Sequence, residues 1–249
     1  MTDVTMTELI LVRHGESEGN VAREAAEAEQ ADEILIDQRD PDVPLSGRGR
    51  SQAEAVGRWL ADLAGERRPA IAWVSPYMRA RQTAELALDA AALQLPLHVD
   101  ERLRDRELGI LDRLTSRGVT ARYPDEARRR RYLGKMYYRP PGGESWADMA
   151  LRLRSFLADL DRTPEGGCGL VVCHDAVILV LRYVLEELSE KEILDLAASQ
   201  SLGNGSVTRI ARPDASGPWH TLEFNVQDHL TAYGSEPTAH EAEQDVHPR

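Results

Sequence analysis

Leu9-Ile10-Leu11-Val12-Arg13-His14-Gly15-Glu16-Ser17 is the stretch whose reading decides the fold. Its first four residues form a short apolar run, which reads as a buried strand. The run ends abruptly in an arginine, a histidine and a glycine. A guanidinium is a planar fork of donors suited to a phosphate, and an imidazole is a nucleophile near neutral pH. In open α/β sheets, ligands gather at the carboxyl ends of strands. A strand that leaves through Arg13 and His14 therefore looks like a phosphate site with a built-in attacking group. A tripeptide this short recurs by chance, so the rest of the chain has to carry the reading.

The surrounding pattern suits such a sheet. Residues 71–75, 97–99 and 169–173 are further strand-like runs, the last being the most apolar. Ser46 is placed to cap a helix running to about residue 64, with Val56, Leu60 and Leu63 on one face. Ser75-Pro76 reads as N-cap and N1 of a helix reaching to about residue 93. Ser145 precedes a stripe of Trp146, Met149, Leu153, Phe156, Leu157 and Leu160 at helical spacing, which is core packing. Residues 176–188 read as a buried helix, and 207–211 with 219–224 as a late strand pair. Strand–helix alternation of this kind predicts one α/β domain over residues 1–233, three layers α/β/α with a mostly parallel central sheet. Three segments read as less regular. They are 22–43, then 113–143 (expected to be an insert or lid), and 234–249, a polar tail expected to be disordered.

Composition narrows the function classes. The 249 residues are 42% hydrophobic, enough for a sizeable core in one large domain. No apolar run approaches the roughly 20 residues of a membrane span. The first residues lack the basic and apolar regions of a secretory leader, so a cytoplasmic protein without a membrane partner is expected. Cys168 and Cys173 match neither a CxxC redox pair nor a zinc knuckle and read as reduced thiols. A net charge of −12 argues against a broad grip on nucleic acid. Any anionic substrate must then be captured by a local basic pocket. The run Arg128-Arg129-Arg130-Arg131 reads as a solvated helix face balanced by Asp125 and Glu126, with substrate binding as its other reading.

Four further sites share the logic of the first. Arg79 falls in the first turn of a helix after a strand, where free N–H groups and the helix dipole already favour phosphate. His174 stands at the exit of the central strand, before a helix that Asp175 is placed to cap. Arg104-Asp105-Arg106-Glu107 offers carboxylates flanked by arginines in a loop, and Asn20 lies just past the first motif. If the strands are neighbours, His14 and His174 face each other over a cup lined by Arg13 and Arg79, a cage for a tetrahedral dianion. Two rival chemistries have the wrong context. Gly15-Glu16-Ser17-Glu18-Gly19 fits the GxSxG elbow of serine hydrolases, but Arg13 and His14 separate the strand from the glycine. His14, His174 and the nearby acids have no helical or knuckle spacing for a metal.

Together, Arg13-His14-Gly15-Glu16-Ser17 with Asn20, Ser75-Pro76 with Arg79 and Gln82-Thr83-Ala84, Glu107 and His174 resemble the histidine phosphatase superfamily, in its phosphoglycerate-mutase-like branch. Pro44-Leu45-Ser46-Gly47-Arg48-Gly49 with Gln52-Ala53, and Pro141-Gly142-Gly143-Glu144-Ser145, match the same pattern, in order over residues 8–224. The resemblance implies in-line attack by His14 to give a phosphohistidine. It implies phosphoryl binding by Arg13, Arg79, His174 and Asn20, and an acid–base role for Glu107, for which Glu101, Asp105 and Glu144 are the other candidates. It implies a small phosphorylated substrate, no metal, no cofactor and, as in many relatives, a homodimer. Asp175 stands where many members carry glycine, and His174-Asp175-Ala176-Val177 is closer to the fructose-2,6-bisphosphatase branch. An acid there bears on anion binding and on the protonation of His174. Mutases of the family resemble each other in a tryptophan–double-arginine block. This chain has Gly134-Lys135-Met136-Tyr137-Tyr138-Arg139 in that region, more like the mutase-like phosphatases. Phosphomonoester hydrolysis is thus expected, with a bisphosphoglycerate-dependent mutase and a phosphoester-binding module without turnover as alternatives.

Overall fold

The computed structural model describes residues 5–160, 163, 166–214 and 216–239. A strand with no polar alternation has to be buried on both faces, and β1 (Met6–Arg13) is: Leu9 and Leu11 enter one core, Ile10 and Val12 the other. The other strands are β2 (Ile71–Val74), β3 (Leu97–Val99), β4 (Gly167–Cys173), β5 (Val207–Ala211) and β6 (His220–Val226). They form one sheet in the order β3-β2-β4-β1-β5-β6. The first four in that order are mutually parallel, and β5 and β6 are antiparallel additions. The late pair therefore closes the sheet at one edge, as its turn segment predicts.

Helices cover both faces. α1 (Glu18–Ala28) follows β1 directly. α2 (Gly47–Asp62) and α3 (Met78–Ala90) pack Val56, Leu60, Ala80, Ala84 and Leu88 on the Ile10 side. α4 (Ser116–Arg122) and α5 (Pro124–Tyr137) come next, then α6 (Trp146–Leu160), α7 (Asp175–Leu185), α8 (Glu190–Ser199) and the short α9 (Asp228–Ala232). α6, α7 and α8 pack the Trp146–Leu160 stripe, Val177 to Leu181 and Ile193 on the Leu9 side. This is the three-layer α/β/α arrangement. No helix among the described residues is long and apolar enough to cross a membrane.

Local chemistry explains where the structure departs from the sequence pattern. Within 22–43, α1 is regular: Ser17 accepts the Asn20 N–H while the Asn20 side chain accepts the Ser17 N–H, a reciprocal cap. Segment 113–143 is mostly helical. Thr115 caps α4, Pro124 occupies the first turn of α5, and Gly134 breaks α5 at φ 74°. This insert has a small core of its own, built on Leu111, Val119, Ala127 and Tyr138. α8 appears because Ser189 and Glu192 form a second reciprocal cap. Ser75 does not cap α3, whose N-cap is Tyr77, and Asp175 is the first residue of α7, whose N-cap is His174. The tail departs as well. Ser235 is buried, Gln52 Nε2 donates to the Glu236 carbonyl and to Thr238 Oγ1 (2.9 Å each), and the Asn204 N–H donates to the Thr238 carbonyl. Residues 240–249 of the expected tail lie outside the described residues.

One contact anchors the loop after β1. A Cβ on Gly15 would stand 2.4 Å from the Gly49 carbonyl oxygen, and one on Gly49 1.9 Å from that of Glu16. The Glu16 carboxylate accepts from Ser46 Oγ (2.6 Å) and Arg48 Nη1 (3.0 Å), and the Glu16 N–H donates to Gln52 Oε1 (2.8 Å). The start of α2 thus clasps the chain next to His14, with no room for a methyl group. Gly49→Ala is expected to cost about 1–3 kcal/mol, read as a fall of several degrees in Tm. Gly47→Ala, with nothing within 4 Å of its new Cβ, is expected to leave Tm nearly unchanged in the same thermal melt.

Candidate active site

Strand register brings the two histidines together. Parallel pairing sets Arg13 opposite Cys173, and the His14 N–H donates to the Cys173 carbonyl at 2.9 Å. His14 and His174 are each the first residue beyond their strand, so they leave the sheet side by side. Their ring centroids are 5.1 Å apart and the rings meet edge to face at 63°. β2 flanks β4 on the other side and delivers Ser75, Tyr77 and Arg79 to the same spot. The Tyr77 ring is 5.2 Å from that of His174, and Arg79 Cζ lies 4.9 Å from the centre of the Tyr77 ring. Arg13, His14, Asn20, Arg79, Asp105 and Asp175 line one cavity at the carboxyl ends of the parallel strands. His174 is fully buried behind Asp105.

The state of each group follows from its partners. A carbonyl only accepts, so the 2.7 Å contact between His14 Nδ1 and the Gly15 oxygen places the ring proton on Nδ1. The lone pair is then on Nε2. Burial, together with Arg79, His174 and Arg13, holds His14 well below the usual imidazole range, so it is neutral at pH 7. The Gly15 N–H donates to Thr83 Oγ1 (3.0 Å), which donates to the Arg79 carbonyl (2.8 Å), tying the His14 loop to α3. His174 Nε2 meets Ser75 Oγ at 2.8 Å, which leaves Nδ1 turned to Asp105 Oδ2 at 3.2 Å. Arg13 Nη1 donates to the Leu202 carbonyl, while its buried Nε has no partner among the described residues.

A carboxylate occupies the cup, and it belongs to Asp105. Its Oδ2 accepts from Arg79 Nη2 at 2.9 Å as well as approaching His174. Burial opposes that charge, but His174 and Arg79 outweigh burial and hold the carboxyl well below the usual carboxylate range. Glu107, the acid the resemblance points to, lines the same cavity but is exposed. Burial, Asp112 and Asp40 push it up. Arg79 donates to Asp40 as well, to its carbonyl (2.8 Å) and Oδ1 (2.9 Å). Burial works against the Arg79 charge, and the two acids overcome it. The Asp105 loop is held from behind. Arg152 donates to the carbonyls of Arg102 and Asp105 and to both oxygens of Glu144, which also binds Arg104.

The other expected residues are placed as follows. Asn20 Oδ1 is spent on the α1 cap and on Asn204 Nδ2 (3.3 Å), so its own Nδ2 is the group left for the cavity. Ser17 Oγ serves that cap, which leaves no serine-hydrolase elbow. The Asp175 carboxylate accepts the Ala176 N–H in the first turn of α7. Arg128, Arg129 and Arg131 are exposed on α5, and none of the four consecutive arginines lines the cavity. Ser75 and Tyr77, which orient His174, and Thr83, which ties the His14 loop to α3, carry no polarity pattern that marks them in the sequence. Asp105 is visible there only as one acid among several.

Comparison with known proteins agrees with this geometry. The family model described as histidine phosphatase superfamily (branch 1) matches residues 9–226, and the chain belongs to that superfamily. It is an enzyme of the histidine phosphatase type. A 2,3-bisphosphoglycerate-dependent phosphoglycerate mutase of Methylobacterium radiotolerans is 35% identical over 195 residues, 76% of this chain and 83% of that one. The 6-phosphofructo-2-kinase/fructose-2,6-bisphosphatase of Gallus gallus is 31% identical over 76% of this chain, which spans 35% of that protein. Among solved structures, a mycobacterial glucosyl-3-phosphoglycerate phosphatase complexed with VO3 superposes with a TM-score of 0.69 and 27% identity, over 89% of this chain and 100% of that one.

The state of His14 is directly measurable. NMR titration of the histidine rings is expected to show His14 still neutral, with its proton on Nδ1, at pH 6.5. A half-protonated His14 at that pH would contradict the burial and cationic surroundings that define the cup.

Proposed function

We propose that this protein hydrolyses small phosphomonoesters through a phosphohistidine on His14. One observation carries the reading. A buried, neutral imidazole with a free Nε2 stands 5.1 Å from a second histidine, in a cup with Arg13 and Arg79. In the first step Nε2 attacks phosphorus, the Nε2–P bond forms and the bond from phosphorus to the ester oxygen breaks. Arg13, Arg79, His174 and Asn20 hold the phosphoryl oxygens and offset their charge.

Asp105 is the acid–base in this reading, in place of Glu107. In the free enzyme it is an anion held by Arg79 and His174. A phosphoryl dianion competes for those same two partners. Once displaced, the carboxylate loses the Arg79 guanidinium and faces a dianion, and both changes favour its protonated form. The proton is thus acquired on substrate binding and passes to the leaving oxygen as the ester bond breaks. Water then attacks phosphorus, Asp105 takes its proton, the Nε2–P bond breaks and phosphate leaves.

Turnover of p-nitrophenyl phosphate tests the scheme. His14→Ala is expected to abolish it. Asp105→Asn is expected to lower kcat by about 10²–10⁴, while Glu107→Gln stays within a few fold of wild type. The reverse ranking of the two acids would return the role to Glu107, and wild type that binds phosphate without turnover would favour a binding module. Incubation with 3-phosphoglycerate, with and without 2,3-bisphosphoglycerate, separates hydrolysis from mutase action: free phosphate is the expected product, and isomerisation would overturn the hydrolase reading.

A further inference from the structure

The cavity is larger than the cup needs. It holds about 170 Å³, on the order of ten water-sized positions, of which a phosphoryl group fills a few. Two guanidiniums at its mouth play no part in the scheme above. Arg23 lies one turn beyond Asn20 on α1, a spacing that puts both on one face, and both line the cavity. Arg23 is half-buried and has no hydrogen bond or ion pair among the described residues. Arg113, exposed in the loop before α4, lines the same cavity. Its backbone is left-handed at φ 58°, a conformation that residues other than glycine seldom adopt and that clusters at ligand clamps.

The neighbouring chain holds Arg113 in that state. Its carbonyl accepts the Ile34 N–H (2.8 Å), its N–H donates to Asp112 Oδ1 (2.9 Å), and Nη2 donates to the Gln38 carbonyl (2.9 Å). Arg23 and Arg113 come from separate elements to line one cavity, and both lie within electrostatic reach of the Asp112 carboxylate in its lining. Arg23 also lies within electrostatic reach of Arg13, which lines the same cavity.

We propose that Arg23 and Arg113 form a second anion subsite, which selects phosphomonoesters carrying another acidic group a few ångströms from the phosphate. This assignment rests on the phosphomonoester reading above and names its substrate class. A carboxylate or second phosphate between the two guanidiniums gains charge-assisted hydrogen bonds that a hydroxyl in its place does not. Glu107 and Asp112 share the mouth and oppose an incoming anion, so the two arginines must outweigh them. Removal of the Asp112 charge is therefore expected to act in the opposite sense to removal of either arginine.

The test compares 3-phosphoglycerate with glycerol 3-phosphate, which differ by a carboxylate against a hydroxymethyl group. Wild type is expected to prefer 3-phosphoglycerate by about tenfold or more in kcat/KM. Arg23→Gln and Arg113→Gly, the latter suited to the left-handed backbone, are each expected to cut that preference several-fold. Asp112→Asn is expected to raise it. Turnover of p-nitrophenyl phosphate, which has no second anion, should stay within about twofold in all three. Calorimetric Kd values for the two ligands on the His14→Ala protein read the same ratio without turnover. Loss of p-nitrophenyl phosphate hydrolysis by wild type would sink the hydrolase reading alone, since the Kd ratio still judges the subsite. Equal handling of the two ligands, or a preference unmoved by either arginine substitution, would overturn the subsite whatever the enzyme hydrolyses.

Discussion

Parallel pairing of β1 with β4 is the constraint on which the site depends. It sets Arg13 against Cys173, and both strands are buried on both faces. A slip of one residue would turn every side chain of β1 toward the opposite core. Leu9 and Leu11 would then face α2 and α3, and Ile10 and Val12 would face α6 and α7. Packing on the two faces therefore locks the register, and the register fixes how close His14 comes to His174. The chemistry inherits its precision from apolar side chains that never touch a ligand.

Charge in the cup is arranged around internal carboxylates. The chain carries a net charge of −12, yet Arg13 and Arg79 are gathered where three parallel strands end. Asp40 and Asp105 bind Arg79 in the free enzyme, so a buried guanidinium is never left uncompensated, which would be strongly unfavourable. In the proposed reaction a phosphoryl group replaces an internal carboxylate and does not enter a bare positive hole. In the proposed reaction that exchange couples substrate binding to protonation of Asp105, so the same contact that stabilises the empty site would prepare the acid.

Many residues that carry the family resemblance prove to be framework. Glu16, Ser46 and Gln52 clasp the loop after β1 to the start of α2. Gln82 accepts the Leu45 N–H at 2.8 Å, and Thr83 joins Gly15 to Arg79. Glu144 anchors Arg152, which in turn grips the Asp105 loop. His14, Arg13 and Arg79 stay in place because this polar frame, buried or nearly so, is held by hydrogen bonds.

The amino-acid sequence by itself determined the layered fold, the strands that carry the site, and His14, His174, Arg13 and Arg79 as its members. Those properties are local: apolar runs, helical stripes and polar residues at strand exits are visible within a few positions. It also showed the caps at Ser46 and Ser145, but not α1 or α8, which lie in polar segments whose apolar stripe is weak. Only the tertiary structure decided that Asp105 and not Glu107 binds Arg79 and approaches His174, that Ser75 serves His174 and not a helix end, and that Arg23 and Arg113 line one cavity. Two acids two residues apart in an irregular loop look alike to any sequence rule. Which one points inward depends on where Arg152 and Glu144 pull the backbone, and those contacts join residues about forty positions apart.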